Sequence, residues 1–440
     1  MSGLIMTAQL ILGLAILVTL HELGHFLAAR AFGIRVEKFY LFFDAWGFKF
    51  FSFKKGDTEY GIGWLPLGGY VKIAGMIDES MDTDALKQEP QPWEFRSKPA
   101  WQRLIVMVGG VTMNVILGIV IYSFSLLHYE QKYLSNNEVT DGISSFELGK
   151  KIGLETGDKI VAINGKPVER FEDALSGRVI FGCHLTVNRQ GKMVDVTVPD
   201  DFYRQVSQAG RGNFISTYHW DLVVDSVFSG KPAEMSGLKH GDKIVAINNL
   251  RIFSPQEFKD EVVENKNKSI NLVVLRGKDS LMVQPIVSDS GTIGIIHSVA
   301  FGDYPLTNYT LGSSLKYGTS DALDAIVTNL KGLKRIFTGH EKASDSLQGP
   351  IGIATIYGGV WDWRRFWLIT GLLSMVLAFM NILPIPALDG GHVIFLSIES
   401  ITRKKFSDKF MERAQIVGMV ILLALMAYTI GNDIWKHVIN

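Results

Sequence analysis

Four stretches of the chain are apolar, free of charged side chains and about twenty residues long, and they limit the possible folds more than any other feature. They are the run from Met1 to Leu20 and residues 104–127, 366–388 and 414–432. A hydrocarbon core of about 30 Å is crossed by roughly 20 apolar residues in a helix. The sequence therefore predicts four transmembrane helices, with the first continuing to residue 30 and the third to residue 398.

Charge and cysteine content exclude several other classes of protein. The 440 residues contain 44 Lys and Arg against 44 Asp and Glu, so no net basic field is available to attract nucleic acid. Cys183 is the only cysteine, which rules out a disulfide within the chain. Any part outside the membrane must therefore fold by core packing, and Cys183 is expected to be a small core residue.

Basic residues in the short loops predict the orientation of the four helices. The loop between the third and fourth helices holds Arg403, Lys404, Lys405, Lys409 and Arg413. Lys and Arg accumulate in cytoplasmic loops, so this loop is expected inside the cell. Both termini and residues 128–360 then lie outside, and residues 31–103 lie inside. The first stretch lacks the basic start and the cleavage site of a signal peptide, so a retained helix is expected.

The long outer region contains an internal repeat. The sequence GLETGDKIVAINGKPV begins at Gly153, and GLKHGDKIVAINNLRI begins 84 residues later at Gly237. Each copy has a Gly-Asp turn followed by an alternating strand, which indicates two copies of one small domain. The repeats resemble PDZ domains, predicted at 128–210 and 211–300, with an amphipathic helical region at 301–360. The pair is either a structural spacer or a receptor for an extended peptide or chain terminus.

The first apolar stretch ends in the sequence HELGH. Residues four apart share one face of a helix, so His21 and His25 can direct imidazole nitrogens at one ion. Glu22 lies beside them and can take a proton from a water molecule, as in the HExxH motif of zinc hydrolases. A charged group within a bilayer is functional by default, and the alternative is a polar helix end at the interface.

The third apolar stretch offers the missing ligand in the sequence NILPIPALDGGH, residues 381–392. Asp389 is the carboxylate of this stretch and is expected to complete a zinc site with an open position for water. His392 is a competing ligand, although a solvated histidine is the expected state. Pro384 and Pro386 should interrupt the helix, and Asn381 could hydrogen-bond to a substrate backbone.

The inner loop contains a further candidate for substrate binding. Apolar and small residues alternate around a Pro-Leu-Gly-Gly turn in residues 61–76, GIGWLPLGGYVKIAGM. This pattern predicts a membrane-associated β-hairpin near 58–76. An extended substrate could pair with the edge of this hairpin near Gly68, Gly69 and Tyr70. The alternative is an ordinary interfacial hairpin.

These motifs together resemble the site-2 protease family of intramembrane zinc metalloproteases, of the bacterial regulator-of-sigma-E protease type. The resemblance implies that His21, His25 and Asp389 bind zinc, that Glu22 is the base, and that Asn381 and Pro384 contact substrate. One departure is Val111 in the sequence GGVTMN, where family members often have proline. That departure affects the local backbone near Asn114 and leaves the zinc ligands untouched.

The expected fold is an α-helical membrane protein with four transmembrane helices, an inserted PDZ-like tandem and a membrane-associated β-hairpin. The expected function is zinc-dependent hydrolysis of transmembrane segments of single-span proteins after prior trimming, with the PDZ pair as a substrate filter. The expected location is the bacterial inner membrane, with the PDZ pair on the periplasmic side. The expected partners include membrane lipid and exclude nucleic acid. The alternatives are removal of remnant signal peptides and a non-catalytic PDZ scaffold.

Overall fold

A computed structural model describes residues 2–66, 68–76, 89–339 and 341–436. The chain forms two compact units. The first unit combines Met1–Gln131 with Tyr309–Asn440, and the second unit is Lys132–Asn308. Leu67 of the predicted Pro-Leu-Gly-Gly turn and residues 77–88 of the predicted inner loop lie outside the described residues.

Among the described residues of the first unit, four helices are long and apolar enough to cross a membrane: Ser2–Ala31, Ala100–Glu130, Trp363–Asn381 and Lys409–Ile434. We name the helices α1 (Ser2–Ala31), α2 (Ala100–Ser125), α8 (Leu311–Phe337), α9 (Ala343–Ser346), α10 (Pro350–Tyr357), α11 (Trp363–Asn381), α12 (Asp389–Thr402) and α13 (Asp408–Ile434). The apolar residues Val417, Val420 and Leu423 of α13 are more than half exposed. Such a surface suits lipid better than water.

The third predicted transmembrane helix is two helices separated by a break at residues 382–388. α11 ends at Asn381 and α12 begins at Asp389, with Pro384 and Pro386 between them. Proline cannot donate the hydrogen bond that a helix interior needs, so the sequence ends α11 here. A side chain at Gly390 would meet the Leu383 carbonyl oxygen at 2.3 Å, so only glycine lets the break fold back onto α12.

A four-stranded sheet follows α1 and corrects the predicted hairpin at 58–76. Its strands are β1 (Val36–Leu41), β2 (Lys49–Lys55), β3 (Thr58–Gly63) and β4 (Tyr70–Ile73), in the order β2-β3-β1-β4. β3 runs parallel to β1, and β4 pairs antiparallel with the other side of β1. β3 and β4 therefore lie on opposite sides of β1, and the hairpin is formed by β2 and β3 instead.

The second unit contains fourteen short strands and five short helices among its described residues. They are β5 (Lys132–Leu134), β6 (Ile143–Ser145), α3 (Glu147–Lys151), β7 (Lys159–Ile163), β8 (Lys166–Pro167), α4 (Gly177–Ile180), β9 (Cys183–Arg189), β10 (Lys192–Val198), α5 (Phe202–Ala209), β11 (Ile215–Thr217), β12 (Trp220–Val227), α6 (Pro232–Met235), β13 (Lys243–Ile247), β14 (Leu250–Arg251), α7 (Pro255–Glu264), β15 (Leu272–Arg276), β16 (Asp279–Val283), β17 (Ile295–Phe301) and β18 (Leu306–Asn308).

Two separate hydrophobic cores account for the sequence repeat. The first core holds residues between Leu134 and Ile215, and it includes Cys183 as the sequence predicts. The second core holds residues between Leu222 and Ile293. β11 pairs with β6, so residues 215–217 belong with the first core. The predicted boundary at 210/211 is therefore wrong by several residues.

The repeated Gly-Asp turn has the same role in both copies. Asp158 and Asp242 are almost fully buried, at 1% and 0% exposure. Arg189 donates a hydrogen bond to Asp158 at 2.7 Å, and Arg276 donates one to Asp242 at 2.7 Å. A buried carboxylate is tolerated when it is paired, which explains why each repeat keeps both the Asp and the Arg.

The contact between α1 and α2 depends on paired glycines and generates a stability prediction. A Cβ at Gly24 would lie 2.2 Å from the Gly109 carbonyl oxygen, whereas a Cβ at Gly3 would meet nothing within 4 Å. We expect Gly24→Ala to lower the free energy of unfolding by about 1–3 kcal/mol, because backbone must move to make room. Gly3→Ala, in the same helix, should be neutral or stabilising. Thermal unfolding in detergent measures both, and equal stability of the two variants would contradict the packing.

Candidate metal centre

Three side chains from two distant segments of the first unit, α1 and the start of α12, converge at one point. His21 Nε2 lies 3.3 Å from Asp389 Oδ2, and His25 Nε2 lies 3.3 Å from the same oxygen. The two Nε2 atoms are also 3.3 Å apart. The potential ligand atoms therefore form an equilateral triangle.

The size of this triangle fits a tetrahedral zinc ion. In a regular tetrahedron two ligand atoms are separated by about 1.63 times the metal–ligand bond, so bonds of about 2.0–2.1 Å require separations of about 3.3–3.4 Å. Asp389 Oδ2 is buried and has no hydrogen-bond partner among the described residues. A carboxylate left in that state is costly, and a cation on it removes the cost. Two imidazoles and one carboxylate are a ligand set that zinc accepts, with a fourth position left for water.

Helix α2 fixes the ring of the second histidine. His25 Nδ1 lies 2.8 Å from the Val106 carbonyl oxygen, and a carbonyl can only accept. Nδ1 therefore carries the proton, and Nε2 presents its lone pair to the triangle. A metal-binding histidine is commonly oriented in this way by a partner on its other nitrogen.

A glycine on α2 leaves room for both rings. A Cβ at Gly110 would lie 2.3 Å from His25 Nε2 and 2.6 Å from His21 Cε1. No other residue type fits that position without displacing the histidines. Gly109 and Gly110 are therefore functional residues that the sequence reasoning missed, although a Gly-Gly pair in an apolar helix opposite the Gly of HELGH is a signal of close packing.

The triangle opens into a cavity of about 430 Å³. Of the predicted site residues, Glu22, Gly69, Tyr70 and Asn381 line this cavity together with the three potential ligands. Asn381 Nδ2 lies 3.2 Å from His21 Nε2, so its amide is next to one corner of the triangle, on the cavity wall. Gly68 and Pro384 are not among the lining residues, and Pro384 is exposed.

A polar cluster lies on the cavity wall formed by the sheet. Lys38 Nζ donates to Asp44 Oδ2 at 2.9 Å, and the Tyr70 hydroxyl donates to Asp44 Oδ1 at 2.7 Å. Burial alone would raise the pKa of the Asp44 carboxyl, but the hydrogen bonds from Lys38 and Tyr70 outweigh it and hold the pKa below its usual value. The cluster ties the start of β4 to the loop after β1.

His392 differs from its predicted state. The sequence suggested a solvated histidine near the interface, yet only 8% of the residue is exposed. It also lies outside the group of side chains that could hold a metal ion. The helical turn after Asp389 carries His392 into the protein, where it lines the cavity beside Gln415 of α13. The structure therefore leaves Asp389 as the third residue of the triangle.

Comparison with known proteins identifies the family. The model of peptidase family M50 matches residues 9–425. A protein of Pasteurella multocida named "Putative zinc metalloprotease" is 30% identical over 98% of this chain and 99% of its own length. A protein of Neisseria meningitidis with the same name is 27% identical over 97% of this chain and 98% of its length, and the "Regulator of sigma E protease" of Haemophilus influenzae is 27% identical over 98% and 99%. The chain belongs to peptidase family M50 and is a membrane-embedded zinc metalloprotease of the site-2 type.

Proposed function

We propose that this protein is an intramembrane endopeptidase that cuts transmembrane segments of single-span proteins, with zinc held by His21, His25 and Asp389. The observation that carries the proposal is the triangle of ligand atoms with 3.3 Å edges among helices long enough to span a membrane. A zinc ion held by these three side chains would supply a Lewis acid able to polarise the scissile carbonyl and to lower the pKa of water to about 7.

Glu22 is the general base in this proposal. It follows His21 directly on α1 and lines the same cavity. Its carboxylate takes a proton from the attacking water and delivers a proton to the leaving amine, so the peptide bond breaks without releasing an amide anion. The amide of Asn381 lines the cavity next to His21 Nε2, and in this proposal it donates a hydrogen bond to the substrate backbone.

Substrate must be unwound before it can be cut, because a transmembrane helix satisfies its peptide groups internally. β4 is the last strand of its sheet among the described residues, and Tyr70, Val71, Lys72 and Ile73 of this strand line the cavity. An extended substrate pairing with β4 regains hydrogen bonds that it lost on unwinding. We propose that β4, with Gly69 at its start, is the substrate-holding strand.

The cellular setting is proposed from the same resemblance. The basic residues of the loop after α12 favour a cytoplasmic position for that loop. We therefore propose a bacterial inner membrane with the PDZ-like pair on its periplasmic side. The pair would then exclude substrates that keep a bulky outer domain, and could bind a peptide or chain terminus. One relative is named "Regulator of sigma E protease". By analogy, we propose that this chain cleaves substrates of the anti-sigma-factor type after an earlier cut has trimmed them. Remnant signal peptides are the alternative substrate.

Removal of the base should separate catalysis from metal binding. We expect Glu22→Gln to keep about one zinc per chain and to lose about 10²–10⁴-fold in cleavage rate, because the base is absent while the ligands remain. Asp389→Ala should lose both zinc and activity. Purified protein in detergent, assayed for metal content and for cleavage of a truncated single-span substrate, measures both. Cleavage by Glu22→Gln at the wild-type rate would remove Glu22 from the mechanism.

A larger side chain at Gly69, next to the start of β4, should weaken substrate binding without lowering the zinc content. A Cβ at Gly69 would lie 2.6 Å from the Tyr40 carbonyl oxygen and 2.8 Å from Val18 Cγ1. We expect Gly69→Val to displace β4 and to slow cleavage about tenfold or more, because small misplacements of substrate are costly. Zinc content should stay at the wild-type level.

A second substrate provides the control for this variant. A substrate whose transmembrane segment carries helix-breaking Gly and Pro near the cut is already unwound, so it should be less affected by Gly69→Val than the intact helix. An equal loss for both substrates, or a loss of zinc, would contradict the role of β4.

A further inference from the structure

Asn114 of α2 is a buried polar side chain with no assigned task. It is 0% exposed, and its Nδ2 lies 3.2 Å from His21 Nδ1. Its other end, Oδ1, has no hydrogen-bond partner among the described residues. Buried polar atoms are nearly always paired in folded proteins, so this arrangement requires an explanation.

Metal binding decides which end of the amide must face His21. His21 Nε2 is the atom in the ligand triangle, so it must be unprotonated when it binds a cation. The single proton of the neutral ring then lies on Nδ1, facing Asn114. An N–H group opposite an NH₂ group would place two donors against each other. A half-turn of the amide exchanges its oxygen and nitrogen and converts this clash into a hydrogen bond.

We propose that Asn114 is a positioning residue of the metal centre, whose side-chain oxygen accepts a hydrogen bond from His21 Nδ1–H. This inference rests on the proposed zinc site. The hydrogen bond selects the tautomer with a free Nε2 and fixes the angle of the ring. It is the counterpart of the bond between His25 Nδ1 and the Val106 carbonyl oxygen at 2.8 Å.

The spacing on α2 supports this role. Val106, Gly110 and Asn114 are four residues apart, so they lie along one face of α2 at one residue per turn. Their order matches the site: an acceptor for His25, a gap for both rings, and a partner for His21. The backbone oxygen of Asn114 also accepts a hydrogen bond from Ser374 Oγ at 2.7 Å, which ties this turn of α2 to α11. One helix thus orients both imidazoles without binding the metal.

Two substitutions of Asn114 distinguish an acceptor from a donor. Asn114→Asp keeps an acceptor oxygen, and Asn114→Leu keeps the approximate volume but removes both polar ends. We expect Leu to weaken zinc binding about 10- to 100-fold, the usual effect of losing such a partner, and Asp to bind within about threefold of wild type. Competition with a chromophoric chelator measures the affinity, and the absorption spectrum of the Co²⁺-substituted protein reports the ligand geometry.

The control is Ser125→Ala, which removes a buried polar atom from the same helix away from the triangle. It should bind zinc as the wild type does. Zinc affinity of Asn114→Leu equal to that of the wild type would overturn the inference. So would a loss in Asn114→Asp as large as in the Leu variant, because Asp offers the oxygen that the inference requires. If Leu prevents folding, a loss of zinc affinity of about tenfold or more in the Asp variant still overturns the inference.

A third variant separates this inference from the proposed function. His21→Ala should lose zinc if the triangle is the metal site. Retention of zinc by His21→Ala would contradict the proposed site itself. Loss of zinc by His21→Ala together with wild-type binding by Asn114→Leu would contradict only the role of Asn114.

Discussion

The structure of the first unit depends on how three ionisable side chains are accommodated among apolar helices. Asp389 and the two histidines are each at most 14% exposed at the side chain, in a unit whose long helices are apolar enough for a bilayer. Charge in such surroundings is tolerated only when it is paired or bound to a metal. The mutual distances of 3.3 Å show that the three groups are arranged for one shared partner rather than for three separate ones.

Close approach of α1 and α2 makes this convergence possible. Gly24 and Gly109 allow the two backbones to touch, and Gly110 leaves the volume that the two rings occupy. Within a bilayer the hydrophobic effect does not drive helices together, so association relies on contacts of this kind between small residues and on polar partners. α2 contributes no group to the ligand triangle, yet it determines where both imidazoles can lie.

Local sequence motifs located the residues of the candidate site better than they predicted the packing. HELGH and LDGG carried His21, Glu22, His25 and Asp389, because helical spacing and ligand chemistry are properties of short segments. The pairing of β4 with β1 was not predictable from residues 58–76. Alternating apolar and small residues with a Gly-Gly turn are compatible with a hairpin of two neighbouring strands. They are equally compatible with two strands on opposite sides of a third strand, and only the position of β1 decides between these arrangements. The same reason applies to His392, because its burial is a matter of tertiary packing, in a cavity that it lines together with Gln415 of α13.

The break between α11 and α12 connects the metal site to the problem of the substrate. Pro384 and Pro386 stop the helix, and Asp389 becomes the first residue of α12, where free backbone N–H groups favour a carboxylate. Backbone freed in this way is tolerated because Gly390, Gly391 and Gly418 let other backbone pack against it. A substrate helix opened for cleavage exposes the same kind of unpaired peptide group. The protein pairs groups of its own break through turn hydrogen bonds, such as the one that Leu388 N–H donates to the Ile385 carbonyl oxygen at 2.9 Å. In the proposed mechanism, the edge of β4 beside the triangle would give the substrate such partners.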